Sequence, residues 1–186
     1  MTRIAVIASA SGSGKTTVGR ELARRLDVPF HELDALHHGP GWTEATAEEL
    51  RAKVEPLVAG DAWVIDGSYR GKLGDLVLAG ADTVLWLDMP MRVWLPRLLR
   101  RSYKRWRTQE ELWNRNRESI RGSLFGRDAL VPYALRHYRD RKRRYAVELA
   151  NYQVVRLRSQ REVIAWLDGL GPGGQGADRG DREHQD

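Results

Sequence analysis

Lys15-Thr16, led in by Gly12-Ser13-Gly14 and followed by a helical-looking segment, is the first place in this chain where residue types and spacing could do chemistry. The stretch Ser9 to Thr16 fits the pattern G-x-x-x-x-G-K-[ST] except that Ser9 stands where the first glycine belongs. Glycines at such a turn let successive backbone N–H groups point inward at a phosphate, and the following helix contributes its positive end. Lys15 is then placed to bridge β- and γ-phosphates and the Thr16 hydroxyl to bind Mg²⁺, with Ser11, Gly12, Ser13, Gly14 and Thr17 completing the nucleotide cradle. The rival reading is a dinucleotide turn, G-x-G-x-x-G, with Asp34 as its acidic partner. It fails at Thr17, which occupies the third glycine position, and it leaves the Lys-Thr pair without a role.

Two carboxylates and several arginines lie where such a loop would need them. Asp34, within His31-Glu32-Leu33-Asp34-Ala35-Leu36-His37-His38, is placed to face an acceptor as a hydroxyl anchor or as a general base. The three histidines invite a metal reading but lack a further ligand at helical spacing. Asp66, closing the run Trp63-Val64-Ile65, is the expected second Mg²⁺ anchor, and Arg70 is within reach of a bound phosphate or carboxylate. Arg97 and Arg101, four apart and so on one helix face, are expected to stabilise transferring charge from a mobile segment. Arg115 and Arg117, in Trp113-Asn114-Arg115-Asn116-Arg117-Glu118, join them as substrate-binding candidates, and Arg136 and Arg139 could contribute from a later helix. Trp94, Trp106 and Trp113 read as lid-to-core packing rather than base-stacking platforms, and Asp88-Met89-Pro90 as a plain strand end.

The elements that must hold these residues follow from periodicity. Short apolar runs at Ile4–Ala8, Phe30–Leu33, Ala62–Ile65, Thr83–Leu87 and Val154–Leu157 alternate with amphipathic segments at Val18–Leu26, Ala47–Val58, Met91–Trp106 and Arg161–Leu170. That rhythm predicts an α/β fold of right-handed crossovers: a five-stranded parallel sheet with helices on both faces, the three-layer sandwich of P-loop NTPases, with an arginine-rich helical lid over about 97–127. Residues 1–170 form one kinase-like domain in this reading. Residues 171–186, GPGGQGADRGDREHQD, read as a disordered tail.

The spacing Asp66-Gly67-x-x-Arg70 is similar to the D-G-x-x-R of adenylate kinases, where the aspartate serves magnesium and the arginine holds the acceptor's phosphate. Taken in order, "LDALHHGPGW", "WVIDGSYRG", "DTVLWLDMP", "WNRNRES" and "VVRLRSQREVIAWL" resemble the adenylate-kinase-related P-loop proteins called DNA topology modulation proteins. The resemblance spans Met1 to Leu170 and implies the architecture of a small phosphotransferase. One departure stands out: adenylate kinases carry a proline before that arginine, whereas this chain has Tyr69.

Composition sets the limits. The chain has 186 residues, no cysteine, and a net charge of +6, which excludes thiol chemistry, disulfides and thiolate metal sites. Between Arg97 and Arg144 lie sixteen Lys or Arg against five Asp or Glu, an excess that attracts phosphate groups. The absence of a long apolar run or a signal-like N-terminus points to a soluble, cytoplasmic protein with no membrane partner. The expectation is a nucleotide-kinase-type P-loop enzyme that uses ATP and Mg²⁺ to phosphorylate a nucleoside, a nucleoside monophosphate or a hydroxylated metabolite. The alternative is a nucleic-acid-binding or regulatory ATPase linked to DNA topology, for which the basic region would be the footprint. Oligomeric state is open in the sequence.

Overall fold

A computed structural model describes residues 2–117 and 129–170; part of the expected lid, Glu118 included, and the expected tail lie outside the described residues. Five strands, β1 (Arg3–Ala8), β2 (Phe30–Glu32), β3 (Trp63–Asp66), β4 (Thr83–Leu87) and β5 (Val154–Leu157), form one sheet in the order β2-β3-β1-β4-β5. All pairings are parallel, with Ala5 opposite Ile65 on one side of β1 and Val84 on the other.

The strands read as continuous apolar runs because both faces of the sheet are covered. Alternate side chains serve opposite layers. Ile4, Val6 and Ala8 pack with Val18 and Leu22 of α1 (Lys15–Leu26), while Ala5 and Ile7 pack with Leu50 and Val54 of α3 (Ala47–Val58). Ile4, Ala5 and Val6 have no exposed surface at all. Burying a side chain such as Ile4 is worth about 1.5–3 kcal/mol, so the central strand anchors the loop that follows it. Helix α3 begins at a capping box, in which Thr46 Oγ1 accepts from Glu49 N at 3.1 Å and Glu49 Oε2 accepts from Thr46 N at 2.8 Å.

Between β2 and β4 lie α2 (Leu33–His37), a 3₁₀ turn Pro40–Trp42, α4 (Arg70–Leu73) and α5 (Leu76–Gly80). After β4 come the long helix α6 (Met91–Thr108), a 3₁₀ turn Trp113–Arg115, and α7 (Leu130–Glu148), with α8 (Gln160–Gly169) closing the described chain. Helix α7 crosses from one layer to the other. Val131, Ala134 and Tyr138 belong to the α1 side, and Leu149 just past its end to the α3 side.

Two expectations about elements need correction. The second strand stops at Glu32 rather than Leu33, because Leu33 and His37, one helical turn apart, are both buried and start a short helix. Asp34 therefore sits on the first turn of α2. The short helices α4 and α5 were not anticipated; they bury Leu73, Val77 and Leu78 against the sheet. Among the described residues no helix is long and apolar enough to cross a membrane.

Candidate functional site

The carboxyl ends of the strands converge on the loop between β1 and α1. Gly12 and Gly14 adopt φ of +83° and +95°, the left-handed region that a side chain resists, so the loop curls as a phosphate cradle requires. Ser13 is buried and its hydroxyl donates to Ala10 O at 2.8 Å, which ties the turn to itself. Ser11 lies half-buried in the same loop, and Thr17 is exposed on the first turn of α1.

Ser9, which departs from the glycine pattern, has a structural task. Its hydroxyl accepts from Trp86 Nε1 at 2.9 Å and donates to Asp88 Oδ1 at 3.1 Å. Asp88 is 1% exposed and also takes Arg156 Nε and Nη2 on Oδ2, at 3.1 and 2.6 Å, and Lys142 Nζ at 3.1 Å. This corrects the reading of Asp88 as a plain strand end. A buried carboxylate requires paired cations and donors, and Asp88 has both.

Four residues meet at the loop's exit. Lys15 Nζ stands 3.0 Å from Asp66 Oδ1, and Thr16 Oγ1 donates to Asp66 Oδ2 at 2.6 Å with Glu32 Oε1 at 3.2 Å. Burial alone would lower the Lys15 pKa, but the carboxylates of Asp66 and Asp34 outweigh it and hold the ammonium above its ordinary range. Glu32 was not singled out in the sequence; its position as the last residue of β2 is the only signal that could have found it. Among the described residues no group of three or more His, Asp or Glu side chains forms a metal cluster, so His31, His37 and His38 are not assembled as ligands. A hydroxyl with one or two carboxylates is nonetheless the donor set that suits Mg²⁺, which keeps waters and completes its shell with substrate phosphates. Thr16, Asp66 and Glu32 fit that requirement.

Asp34 faces the same space. Its Oδ1 accepts from the Tyr69 hydroxyl at 2.6 Å. Burial first, and then the charge of Asp34, push the Tyr69 pKa far above its ordinary value, so the phenol keeps its proton and donates. Tyr69 holds φ +44°, a strained conformation at the start of α4. His37, buried beside Tyr69 with ring centroids 4.6 Å apart, has its pKa lowered by burial, with Lys72 adding to it.

The arginines divide into two groups. Helix α6 sits directly on the loop: a Cβ at Gly12 would lie 2.5 Å from Trp94 O, and one at Gly14 would lie 4.0 Å from Arg97 Nη1. Arg97 Nη2 also donates to Gln160 Oε1 at 3.1 Å, and the charge of Arg101 is near enough to act on Lys15. The structure thus brings Arg97 and Arg101 to the phosphate loop. Arg70 departs from expectation. Its guanidinium is held by Asp75 and by Glu148 Oε2, the latter at 2.7 Å, so it clamps α4 and α5 to the end of α7 instead of presenting an open fork.

Arg115 and Arg117 are exposed, and Arg117 pairs with Glu111 at 2.8 Å. In place of these arginines, the neighbouring amides make contact with the loop after α2. Asn116, 3% exposed, accepts from Trp42 N at 2.9 Å and donates to Gly39 O at 2.8 Å, while Asn114 donates to His38 O. Trp113 stacks on His38 with centroids 5.9 Å apart, and Trp42 Nε1 donates to Arg117 O at 3.2 Å. Trp94 is fully buried in the core, whereas Trp106 is 37% exposed.

A family profile described as shikimate kinase matches residues 11–40, from the phosphate loop through Asp34 to the turn after α2. Comparison with curated proteins finds no match. Among solved structures, a shikimate kinase from Bacteroides thetaiotaomicron is similar with a TM-score of 0.55 and 17% identity, over 91% of this chain and 96% of that chain. A sugar kinase from Janibacter sp., unliganded, is similar with a TM-score of 0.52 and 20% identity, over 96% of this chain and 100% of that chain. An uncharacterized protein from Eubacterium ventriosum has a TM-score of 0.51 and 12% identity, over 90% of this chain and 94% of that chain. These likenesses show the fold, a parallel α/β sheet of the kind the named kinases have.

Proposed function

We propose that the chain transfers the γ-phosphoryl of ATP to a hydroxyl of a small, polar acceptor. The observation that carries this reading is the meeting of two parts at one strand end: Lys15, Thr16, Asp66 and Glu32 at the loop, and the Asp34–Tyr69 pair beside them. Lys15 and the loop amides hold the donor phosphates. Thr16, Asp66 and Glu32 would hold Mg²⁺, which supplies charge neutralisation to the phosphates when bound. Asp34 accepts the proton of the acceptor hydroxyl as the oxygen–phosphorus bond forms and the bond to the bridging oxygen breaks, releasing ADP. Tyr69 fixes the Asp34 carboxylate by donating to it. Arg97 and Arg101 on α6 balance the charge that spreads over the transferred group.

Among nucleosides, nucleoside monophosphates and hydroxylated metabolites, the last class is favoured. Arg70 is engaged by two carboxylates and so does not offer an acceptor phosphate the fork found in adenylate kinases. The similar shikimate and sugar kinases support the same choice. We propose further that the chain is kin to the DNA topology modulation proteins it resembles and works in the cytoplasm.

The test is ADP release with Mg²⁺ present across a panel of the three acceptor classes, with Lys15→Ala and Asp34→Asn as controls. A polyol, sugar or hydroxy acid recovered phosphorylated, with turnover lost in both variants, is the expected result. Flat turnover with Lys15-dependent ATP binding intact would move the reading to a regulatory, DNA-linked ATPase. That reading predicts DNA affinity that falls steeply with salt.

A further inference from the structure

Beside the phosphate loop, on the β5 side of Asp88, four cations converge on one cleft. Arg139, Lys142 and Arg143 of α7 and Arg156 of β5, with Ala146, line a cleft of about 320 Å³. Residues three and four apart share a helix face, so Arg139, Lys142, Arg143 and Ala146 necessarily present one surface. Two of the cations are already positioned: Lys142 and Arg156 hold the buried Asp88, and the Arg156 guanidinium lies flat over Trp86, 4.0 Å from its centroid. Arg139 and Arg143 are exposed and form no ion pair among the described residues. The single carboxylate at the cleft therefore leaves a local excess of positive charge. Asp88 follows β4 and Asp66 ends β3, strands that flank β1; Asp66 and Leu85 are both level with Val6, so Asp88 is offset from Asp66 by two strand spacings across the sheet and three residues along it. The cleft adjoins the phosphate loop through Asp88, which also accepts from the Ser9 hydroxyl, but none of its lining cations belongs to the loop.

We infer that this cleft is a second anion site, shaped for the dianionic phosphate of a small phosphate monoester. Arg139 and Arg143 offer planar forks that bind phosphate oxygens in pairs, while Arg156 and Lys142, both held on Asp88, add positive charge at the cleft. Preorganisation by Asp88 and Trp86 means that part of the ordering cost of binding is met before the ligand arrives. A nucleic-acid backbone would need cations spread along a groove to match its repeating phosphates, whereas these four line one shallow cleft. The inference goes beyond the kinase reading and does not depend on turnover.

The experiment measures binding of inorganic phosphate and of ribose 5-phosphate by calorimetry at fixed ionic strength, in a Lys15→Ala background that weakens the loop's own anion site. One saturable site is expected for both probes. Arg139→Ala/Arg143→Ala should weaken it by at least about tenfold, since bonds between charged partners are the strong ones. Both residues are exposed, so the double variant should keep the thermal midpoint of its parent, and Arg139→Lys/Arg143→Lys should recover part of the affinity. Binding that is lost entirely with Lys15→Ala, or is untouched by the double substitution, would overturn the inference. Duplex DNA binding that needs Arg139 and Arg143, without saturable monoester binding, would overturn it too by assigning the cleft to a backbone. In the unsubstituted protein, consumption of the monoester with ATP would make it the acceptor's own phosphate; binding without consumption would make it a separate ligand, and either result supports the site.

Discussion

Substituting Gly12 by alanine tests how helix α6 is seated on the phosphate loop. Two costs add. The backbone at Gly12 has φ +83°, where a Cβ costs about 1–2 kcal/mol. The new methyl would also stand 2.5 Å from Trp94 O and 3.0 Å from Leu98 N, and these are backbone atoms of a helix that cannot rotate aside. Forcing such a contact costs about 1–3 kcal/mol, for a total near 2–5 kcal/mol. In a domain of this size each kcal/mol lowers the melting temperature by about 2–4 °C, so a drop of roughly 5–20 °C is expected. Gly41→Ala is the matched control, because Gly41 also has positive φ, +67°, but nothing lies within 4 Å of the added carbon. It should lose only the conformational part, about 1–2 kcal/mol. Urea denaturation of both variants gives the difference directly. Turnover should fall further in Gly12→Ala than stability alone accounts for, since α6 carries Arg97 and Arg101 to the loop. Equal destabilisation of the two variants would refute the packing argument.

Three other outcomes follow from the same geometry. Tyr69→Phe removes the donor to Asp34, a bond to a charged group worth about 1.5–3 kcal/mol, so kcat should fall by roughly ten- to a hundredfold with little change in KM for ATP. Because Tyr69 keeps its proton in the folded chain and loses it near pH 10 when unfolded, its contribution to stability should decline as pH rises above about 10, and Tyr69→Phe should remove that slope. Ser9→Ala strands the Trp86 N–H and takes a donor from Asp88, with an expected cost of about 1–3 kcal/mol in urea denaturation. Asp82, whose carboxyl is held down at about 2 by the Thr2 backbone N–H and then by Arg3, stabilises the fold above its unfolded value near 4 and loses that contribution as pH falls towards 2. Its side chain is 30% exposed, so after allowance for solvent the effect is about 1 kcal/mol, and Asp82→Asn should flatten the acid limb of a stability–pH curve by that amount.

What the sequence made legible was whatever local pattern determines. Ile4 to Ala8 and Thr83 to Leu87 are apolar without interruption because neighbours cover both faces, and a run of that kind is readable without a structure. The loop was readable because Gly12, Gly14 and Lys15 are needed at fixed offsets. Asp88 was not, since its partners Lys142 and Arg156 come from elements far along the chain, and nothing in Asp88-Met89-Pro90 announces them. Arg70 shows the converse failure. Its spacing after Asp66-Gly67 is that of the motif, yet Asp75 and Glu148 occupy the fork that the motif assigns to a phosphate. In Trp113-Asn114-Arg115-Asn116 charge drew attention to the arginines, whereas an amide, which both donates and accepts, is what can satisfy two backbone groups of the opposing loop at once.

The placement of the loop after the central strand bears on how the molecule opens. Amides of Ile4 to Val6 lie between two neighbouring strands in a fully buried ladder, so their exchange with solvent deuterium should require global unfolding. The bridge from Asn114 and Asn116 to the turn at His38–Trp42 rests instead on three side-chain bonds, and the Trp42 amide that joins it should exchange through local opening. The strand from which the loop springs is thereby slow to come apart, while the contact of Asn114 and Asn116 with the turn after α2 can open many times in the same interval.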